Sequence, residues 1–379
     1  MKKLLIFFLL LLITCTGCVK KETYTKIQFA SWGSKSEIDI LKPIINDFEK
    51  ENPNIKIEFL HIPQNYFQKI HLLFASNMAP DVIFINNLYL PVYADYLEDL
   101  SDYTDESTFF EQTLQSLTYD KKLLAIPRDA SNMVIYYNKD LFDECKISYP
   151  SENWTLQDLL IIGKQFKKHN IFGISFEENP IFYLPYLMSN DGGILSDDLK
   201  TIIVNEKNSA ESLAFYSDLR NKYNIAPKKS QSSSLTMAQM FLQEKLAMHL
   251  SGRWLVPKYR ESADFDWDII NFPNGSKGSI VPMDASGWSV YKKSKNKAIA
   301  IKFVKFLSSK ENIERFTKSG LITPARIDVA TSKTFLQGKP ESSYIFINAI
   351  KTSKPTAVSK NYNEIIDKVN EQTEKIFNK

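Results

Sequence analysis

The chain of 379 residues is poor in the residues and motifs on which enzyme active sites are usually built. Two of its three cysteines, Cys15 and Cys18, lie near the N-terminus, so Cys145 is the only thiol in the rest of the chain. A lone thiol excludes an intrachain disulfide or a cysteine cluster for a metal. The four histidines form no HExxH motif, and a GxSxG elbow, a phosphate-binding loop and a GxGxxG turn are all missing. We therefore expect no metal site, no cofactor and no catalysis. A carboxylate pair for glycoside hydrolysis stays open, because only separation in space decides it.

Concentrated charge of one sign is also missing. The chain has 47 Lys and Arg against 44 Asp and Glu, and the basic residues form no long block. Proteins that bind nucleic acid usually carry a basic patch or stripe. We therefore expect no nucleic-acid partner.

A hydrophobic run long enough to span a membrane is missing too. Residues 4–13 are apolar, but they fall well short of the roughly 20 residues that a transmembrane helix needs. A short apolar core between the basic start Lys2-Lys3 and a few small residues is the layout of a secretory signal. We predict a signal peptide over residues 1–17.

The end of this signal resembles the lipobox of bacterial lipoproteins, in which the cysteine after the cleavage site is lipidated. Residues 16–18, TGC, fit the box, although Cys15 stands where Leu is usual. A competing frame ends at Cys15 but has Thr14 where a small residue is expected. We predict lipidation of Cys18, with residues 18–23 as anchor and tether, because several acyl chains hold a protein on a membrane durably. The expected location is the outer face of the cell membrane.

Strand and helix patterns alternate along the start of the mature chain. KIQFASW, NIKIEFLHI and PDVIFIN have the composition of strands, and the stretches between them carry apolar residues at helical spacing. This β-α-β-α-β order predicts a parallel sheet covered by helices. Later segments, among them the helix WTLQDLLIIGKQFKK and the strands FGISF and DWDIINFP, indicate a second α/β block. The length of the chain fits two domains.

Tryptophans stand beside glycine and polar residues at three places: WGS from Trp32, GRW from Gly252 and SGW from Ser286. Flat indole faces suit the apolar faces of sugar rings, while neighbouring amides and carboxylates take the hydroxyls. In parallel sheets, ligands bind beyond the carboxyl ends of the strands. The loops SWGSKSE and INNLY lie at such ends, so they are the first candidates for a ligand site.

In these residues, and in the order of its segments, the chain resembles the extracellular solute-binding proteins of ABC importers, the branch that includes maltose-binding protein. The resemblance covers the mature length and is carried, in the family's order, by FASWG, INDFEKENPNIKIEF, APDVIFINN, LLAIPRD, VIYYNKDLF, SAESLAFYSDLRNKYNIAP, KLAMHLSGRW, SGWSVYKKSKNKAIAIKFVKFLSS and LITPAR. It implies an α/β, two-lobed fold of the periplasmic-binding-protein type, class II, with a ligand cleft between lobes that close by hinge bending. One lobe would be residues 24–128 plus 281–325, and the other residues 129–280 plus 326–379.

The function that the resemblance implies is capture of a carbohydrate, a sugar or an oligosaccharide, and its delivery to the permease subunits of an ABC importer. A lipid-anchored monomer would do this without catalysis. Two alternatives stay open. The same importer role could serve another solute, such as a glycerol phosphate, another anion or a polyamine, or the protein could be a secreted glycosidase.

The resemblance also implies ligand contacts at matching positions. They come from the two strand-end loops, the crossings between lobes and the second lobe: Trp32, Ser34, Ser36, Asn86, Asn87, Asp129, Tyr183, Arg253, Trp254, Asp284 and Trp288. Arg253 is interpreted either as a clamp for a phosphate or carboxylate or as a surface ion pair. Tyr362 is a further candidate, for an aromatic position near the C-terminus. Maltose-binding protein has charged residues where this chain has Asn86 and Asn87, which argues against maltose itself.

Overall fold

The computed structural model describes residues 24–196, 198–232 and 234–378. The predicted signal peptide, Cys18 and the tether lie outside the described residues. None of the helices within those ranges is long and apolar enough to cross a membrane.

The N-terminal part of the chain forms the predicted β-α-β-α-β unit. Its elements are β1 (Thr25–Ser31), α1 (Lys35–Glu51), β2 (Ile55–His61), α2 (Tyr66–Ala75) and β3 (Val82–Asn86). Strand β1 lies between β2 and β3 and pairs with both in parallel. Helix α1 begins at Lys35 because the Ser34 side chain caps it by accepting a hydrogen bond from the backbone N–H of Glu37. Its apolar residues recur at helical spacing and bury one face of the helix.

The remaining elements continue the α/β order. The next group is α3 (Leu90–Tyr93), α4 (Glu111–Ser116), β4 (Thr118–Tyr119), β5 (Lys122–Leu123), β6 (Ile126–Asn138), α5 (Lys139–Glu144), α6 (Leu156–Lys167), α7 (Pro180–Met188), α8 (Lys207–Asn221), α9 (Lys229–Ser232), α10 (Met237–Leu242), β7 (Met248–Gly252), α11 (Val256–Ser262) and β8 (Trp267–Ile270). The last group is β9 (Pro282–Val290), α12 (Lys297–Leu307), α13 (Lys310–Lys318), β10 (Thr323–Pro324), α14 (Ile327–Ala330), α15 (Lys333–Leu336), α16 (Tyr344–Thr352), β11 (Lys354–Pro355) and α17 (Tyr362–Phe377).

Strand β6 is shared by the two halves of the molecule. Its residues 126–132 pair with β9, and its residues 133–138 pair with β7 and β8. Strand β9 also lies antiparallel to β3, which gives the order β10-β6-β9-β3-β1-β2. We call the half built around β1, β2 and β3 the first lobe, and the half built around β7 and β8 the second lobe. Strand β11 pairs with the start of β9, so the C-terminal part of the chain is a third segment, after β6 and β9, at the junction of the two lobes.

Three clusters of buried hydrophobic side chains form the core. Two of them use opposite faces of the first-lobe sheet: Phe29 belongs to one and its neighbour Ala30 to the other, as expected when alternate residues of a strand point to opposite faces. The third cluster takes residues from positions 130–283 and 330–377, together with Phe110. The clusters follow the predicted lobes except at Phe110, Val281, Met283 and Val329, which pack with the other lobe. The lobe boundaries stay a prediction.

One predicted strand is wrong. The segment FGISF contributes only an isolated bridge between Phe172 and Leu246. The backbone of Gly173 lies so close to Gly163 of α6 that a Cβ atom at Gly173 would meet the Gly163 Cα at 2.3 Å. The segment therefore packs against a helix by close backbone approach, which an apolar composition does not distinguish from a strand.

Candidate functional site

A cavity of about 640 Å³, here called the central cavity, lies between the two lobes. The first lobe contributes Leu88 and Tyr89, which follow β3, and β9 contributes Asp284. The second lobe contributes residues 178–181 at the start of α7. Thr356 and Tyr362, which come after β11, complete the wall together with one face of α17. The cavity thus sits where the strand ends, the crossing strands and the C-terminal helix meet.

Asn87 and Asp284, both predicted site residues, are brought together at this cavity across 197 positions of sequence. The Asn87 side-chain amide donates a hydrogen bond of 3.1 Å to Asp284 Oδ1, and its carbonyl accepts one of 3.0 Å from the backbone N–H of Ala285. Burial raises the pKa of the Asp284 carboxyl, while hydrogen bonds from Thr356 and Asn87 oppose that shift. Asn87 is itself buried. Its hydrogen bonds to Asp284 and Ala285 fix the position of the Asp284 side chain at the cavity wall.

Asn86 lies at the end of β3 opposite Ser286 of β9. Its side-chain oxygen is buried, and among the described residues it has no hydrogen-bond partner. An unsatisfied buried acceptor costs free energy. A donor supplied by a ligand would remove that cost, so Asn86 stays a candidate contact.

Asp129 is buried and ion-paired. Its Oδ2 lies 2.5 Å from Arg128 Nε, and Arg128 Nη1 also bonds Glu37 of α1. The Arg128 guanidinium lies over the Phe84 ring, 4.1 Å from its centroid. In this structure Asp129 pairs with its neighbour Arg128, which in turn pairs with Glu37 and so joins the first crossing to the first lobe. A ligand contact at Asp129 stays a prediction.

Tyr183 and Trp288 lie in hydrophobic cores, with 0% and 1% of their surface exposed. Tyr183 packs against Tyr216 and Phe377, although its neighbour Ile181, two positions earlier on α7, lines the central cavity. Two positions on a helix are about 200° apart and face opposite ways. Trp288 lies within β9 and packs against Phe84. Neither predicted contact reaches the cavity wall.

Arg253 fits neither of the two interpretations offered above. Its guanidinium is buried, its three nitrogens have no hydrogen-bond partner among the described residues, and its carbon lies 4.1 Å from the Phe335 ring centroid and 5.2 Å from that of Phe346. Burial lowers the pKa of Arg253 to about 9. The residue is therefore a core cation held between aromatic rings, not an anion clamp on a cavity wall or a surface ion pair.

Trp254, the next residue, is 37% exposed. It follows the last residue of β7, Gly252, which pairs with Met133 of the crossing strand β6. The indole lies directly over Gly252, where a Cβ atom would meet it at 1.9 Å. Trp254 therefore presents a partly exposed indole next to the crossing, and its role as a stacking residue stays a prediction.

Trp32 and Ser34 lie at a second cavity of about 660 Å³, here called the strand-end cavity. Its wall is built by the loops after β1 and β2 and by the start of α1, which contributes Lys35, Glu37, Ile38, Asp39 and Lys42. His61 and Gln64 lie on the β2 side. His61 Nε2 lies 3.0 Å from the backbone oxygen of Gly33, which ties the two loops together. Ser36 is exposed, and its hydroxyl lies 3.0 Å from that of Ser34.

Several residues of the central cavity escaped sequence reasoning. Tyr89 ends the predicted loop INNLY but was not named as a contact, and Asn179 caps α7 with its side chain. Asn370 and Thr373 lie three positions apart on α17. The helical spacing of α17 is readable in the sequence, but it does not say which face meets the cleft. Within the described part of the chain, no group of three or more His, Cys, Asp or Glu residues could hold a metal ion.

Two α/β lobes joined by shared strands, with a cavity at the junction, define the class of two-lobed ligand-binding proteins that close around a solute. The chain belongs to the family of bacterial extracellular solute-binding proteins, whose family model matches residues 43–340. The predicted family and the predicted two-lobed fold are thereby confirmed.

Relatives and solved structures agree with this assignment. The chain is 22% identical to the galactooligosaccharide-binding protein of Bacillus subtilis, over 88% of this chain and 80% of the relative. It is 24% identical to the maltodextrin-binding protein of the same organism, over 84% and 77%. The solved ABC substrate-binding protein from Listeria monocytogenes in complex with cycloalternan is 27% identical and covers 94% of each chain with a TM-score of 0.84.

Proposed function

We propose that the protein binds an oligosaccharide in the central cavity and delivers it to the permease of an ABC importer. The observation that carries this proposal is the composition of the cavity wall. Tyr89 and Tyr362 supply aromatic surface, and Pro180 and Ile181 supply further apolar surface. Hydrogen-bonding groups come from Asn179, Asp284, Thr356, Asn370 and Thr373. Apolar surface with a few placed polar groups suits a sugar, whose ring faces are apolar and whose edges carry hydroxyls.

The charge of the wall supports a neutral ligand over an anionic one. The charged residues among the described lining are Glu178, Asp284 and Glu374, and none of the lining residues is Lys or Arg. Arg253, the residue that suggested an anion, lies in the core. An sn-glycerol-3-phosphate-binding protein of Shigella flexneri is 25% identical over 77% of this chain. A phosphate here would nevertheless face Asp284 and Glu374 without a Lys or Arg in the cavity lining, while Glu178 is already paired with Arg220 and Lys229. The same carboxylates are compatible with a polyamine, which is the second candidate ligand.

The test is isothermal titration calorimetry of the mature chain against malto-oligosaccharides, galacto-oligosaccharides, glycerol 3-phosphate and spermidine. We expect heat from at least one oligosaccharide and none from glycerol 3-phosphate. Tyr362→Ala should weaken sugar binding about fivefold, because one aromatic contact is worth about 1 kcal/mol. Tyr223→Ala is the matched control, since Tyr223 is also partly buried and does not line the cavity. If spermidine alone bound, the proposed ligand would change from a sugar to a polyamine. Binding of glycerol 3-phosphate would refute the inference that the carboxylates of the cavity wall disfavour an anionic ligand.

We also propose that the two lobes close around the bound sugar and that the protein does not catalyse a reaction on it. A ligand that touches both lobes favours the closed state by its difference in affinity for the two states. Small-angle X-ray scattering should show a smaller radius of gyration with the bound sugar than without it. Incubation with the same oligosaccharide should return it unchanged in mass and linkage. Release of shorter sugars would favour the glycosidase alternative.

The proposal also includes the lipid anchor on Cys18 and a monomeric protein at the outer face of the cell membrane. The support is the sequence of the signal and membership of an extracellular family. Cys18→Ala should release the protein from membranes into the medium. If Cys15→Ala released it instead, the competing frame would be right.

A further inference from the structure

A short basic segment lies at the edge of the first lobe where the predicted tether joins the fold. Residues 292–297, KKSKNK, come just after β9 and contain four lysines. We call them the basic turn. The side-chain amide of Asn296 donates a hydrogen bond of 3.2 Å to the backbone oxygen of Lys26, the second residue of β1. The basic turn therefore lies directly beside the start of β1, to which residues 18–23 lead.

The basic turn and the cavities lie at opposite edges of the first-lobe sheet. Strands β1, β2 and β3 are parallel, and β9 runs antiparallel to β3, so that its last residue, Val290, lies opposite Val82, the first residue of β3. The amino ends of the three parallel strands and the end of β9 thus share one edge. The loops that line the two cavities lie at the other edge, roughly 20 Å away along β1.

The basic turn carries a net positive charge. Three of its lysines are exposed and form no ion pair with the described residues: Lys292, Lys293 and Lys295. The fourth, Lys297, pairs with Glu98 at 2.8 Å. Asp81 accepts a hydrogen bond of 2.5 Å from the hydroxyl of the serine in the turn, and the nearby Asp95 is paired with Lys360 at 3.0 Å. These acidic residues neutralise only part of the charge of the lysines.

Two exposed apolar side chains lie at the same edge. Leu72, in the last turn of α2, is 67% exposed, and Met78, three positions before Asp81, is 65% exposed. Their segment packs on the residue just before the basic turn, because the ring centroid of Phe74 lies 5.5 Å from that of Tyr291. Proteins that lie on a membrane surface combine lysines with exposed apolar side chains in this way.

We propose that the basic turn, together with Leu72 and Met78, docks the first lobe on the anionic lipid surface of the membrane that holds the anchor. The inference rests on the lipid anchor at Cys18, which is part of the proposed function. The six residue steps from Cys18 to Tyr24 span at most about 20 Å, so the anchor keeps the start of β1 close to the lipid head groups. The tether makes docking an intramolecular step, which a weak attraction between lysines and anionic head groups can drive.

Docking in this orientation turns the cavities away from the membrane. They lie at the carboxyl ends of the parallel strands, whereas the basic turn lies at the amino ends. The central cavity then faces the medium, from which a solute arrives. The attraction to the lipid surface falls off within a screening length of about 8 Å at physiological salt. Docking is therefore reversible and leaves the lobe free to turn towards a permease.

Lysine footprinting by mass spectrometry tests this orientation. The lipidated protein is reconstituted into vesicles of phosphatidylcholine, with or without phosphatidylglycerol, and is then treated with an amine-acetylating reagent. One lysine near an anionic surface favours binding about fivefold, the equivalent of about 1 kcal/mol, so three favour it about 100-fold. A 100-fold change takes a docked fraction of about one-tenth to about nine-tenths. We therefore expect acetylation of Lys292, Lys293 and Lys295 to slow about tenfold on the vesicles with phosphatidylglycerol, and high salt to restore it.

Charge reversal of the basic turn, in Lys292→Glu/Lys293→Glu/Lys295→Glu, should abolish docking. Lys26 is exposed at the same edge and reports docking in this variant. On anionic vesicles its acetylation should be slow in the wild-type protein and fast in the variant. The matched control changes the net charge equally by reversing three exposed lysines of the second lobe: Lys168→Glu/Lys207→Glu/Lys245→Glu. The control should keep Lys26 protected.

Three results would overturn the docking surface and leave the anchor and the sugar ligand standing. The first is equal acetylation of the basic turn on both kinds of vesicle. The second is protection of Lys26 that survives charge reversal of the turn, and the third is protection that is lost equally in the control variant. A protein that carries no lipid and stays off the vesicles would overturn the anchor, and this inference with it. Binding of the sugar, measured by calorimetry, is independent of all four results.

Discussion

Replacing Arg128 by methionine tests whether the buried ion pairs at the first crossing hold the first lobe to β6. Arg128 Nε lies 2.5 Å from Asp129 Oδ2, Nη1 bonds Glu37, and all three side chains are about one-tenth exposed. Methionine would fill much of the volume but would leave two buried carboxylates without a cation. Removing one partner of a buried pair typically costs about 3–5 kcal/mol. We expect a loss of about this size in the free energy of unfolding.

Urea unfolding followed by circular dichroism measures this loss. The control is Arg315→Met: Arg315 also contacts two carboxylates, Asp47 at 2.8 Å and Glu311 at 3.2 Å, but its side chain is 32% exposed. Such exposed pairs are worth about 0–1 kcal/mol each. Burial already raises the pKa of the Asp129 carboxyl in the wild type. In Arg128→Met that carboxyl loses its cation, so the folded state takes up a proton more readily. The deficit should therefore shrink as the pH falls from 7 towards 5. Equal losses for the two variants, or a deficit that does not change with pH, would refute the reasoning.

Three further predictions concern single side chains. Asn87→Ala should weaken ligand binding measured by calorimetry about tenfold, because Asp284 loses the hydrogen-bond donor that fixes its side chain at the cavity wall. Unchanged affinity would show that Asn87 does not position Asp284 for the ligand. Gly252→Ala should displace the Trp254 indole, because a Cβ atom at Gly252 would meet it at 1.9 Å. We expect a shifted tryptophan fluorescence spectrum and a loss of about 1–3 kcal/mol in the free energy of unfolding. An unchanged spectrum would contradict this. Burial lowers the pKa of His249, so the unfolded state binds more protons and stability should fall as the pH drops below about 6.5. His249→Asn should flatten that slope between pH 7.5 and 5.5, and an unaltered slope would show that another group is responsible.

The sequence predicted best those parts of the fold in which local pattern and tertiary position agree. The strands of the first lobe are short apolar runs, and α1 buries the residues that recur at helical spacing. The segment FGISF has a strand's composition but packs on α6 through two glycines. Backbone approach of that kind leaves no trace in hydrophobic periodicity.

The site was predicted less well, because side-chain direction depends on the phase of each element. SGW looks like a loop with an exposed indole, yet Trp288 lies inside β9 with a neighbour on each side and points into the core. On α7 the resemblance pointed to Tyr183, whereas helix phase turns Ile181 to the cavity. Asn87 and Asp284 were predicted separately, but their contact depends on the pairing of β3 with β9, which sequence spacing does not reveal.

The exchange of strands between the lobes has a consequence for how the protein is made. The sheet of the first lobe is incomplete until β9, which ends at Val290, has been synthesised and can insert between β3 and β6. Most of the polypeptide must therefore be synthesised before either lobe can form its native hydrophobic core. A chain that stays unfolded for so long is suited to threading through a narrow export channel, and its maturation is expected on the far side of that channel.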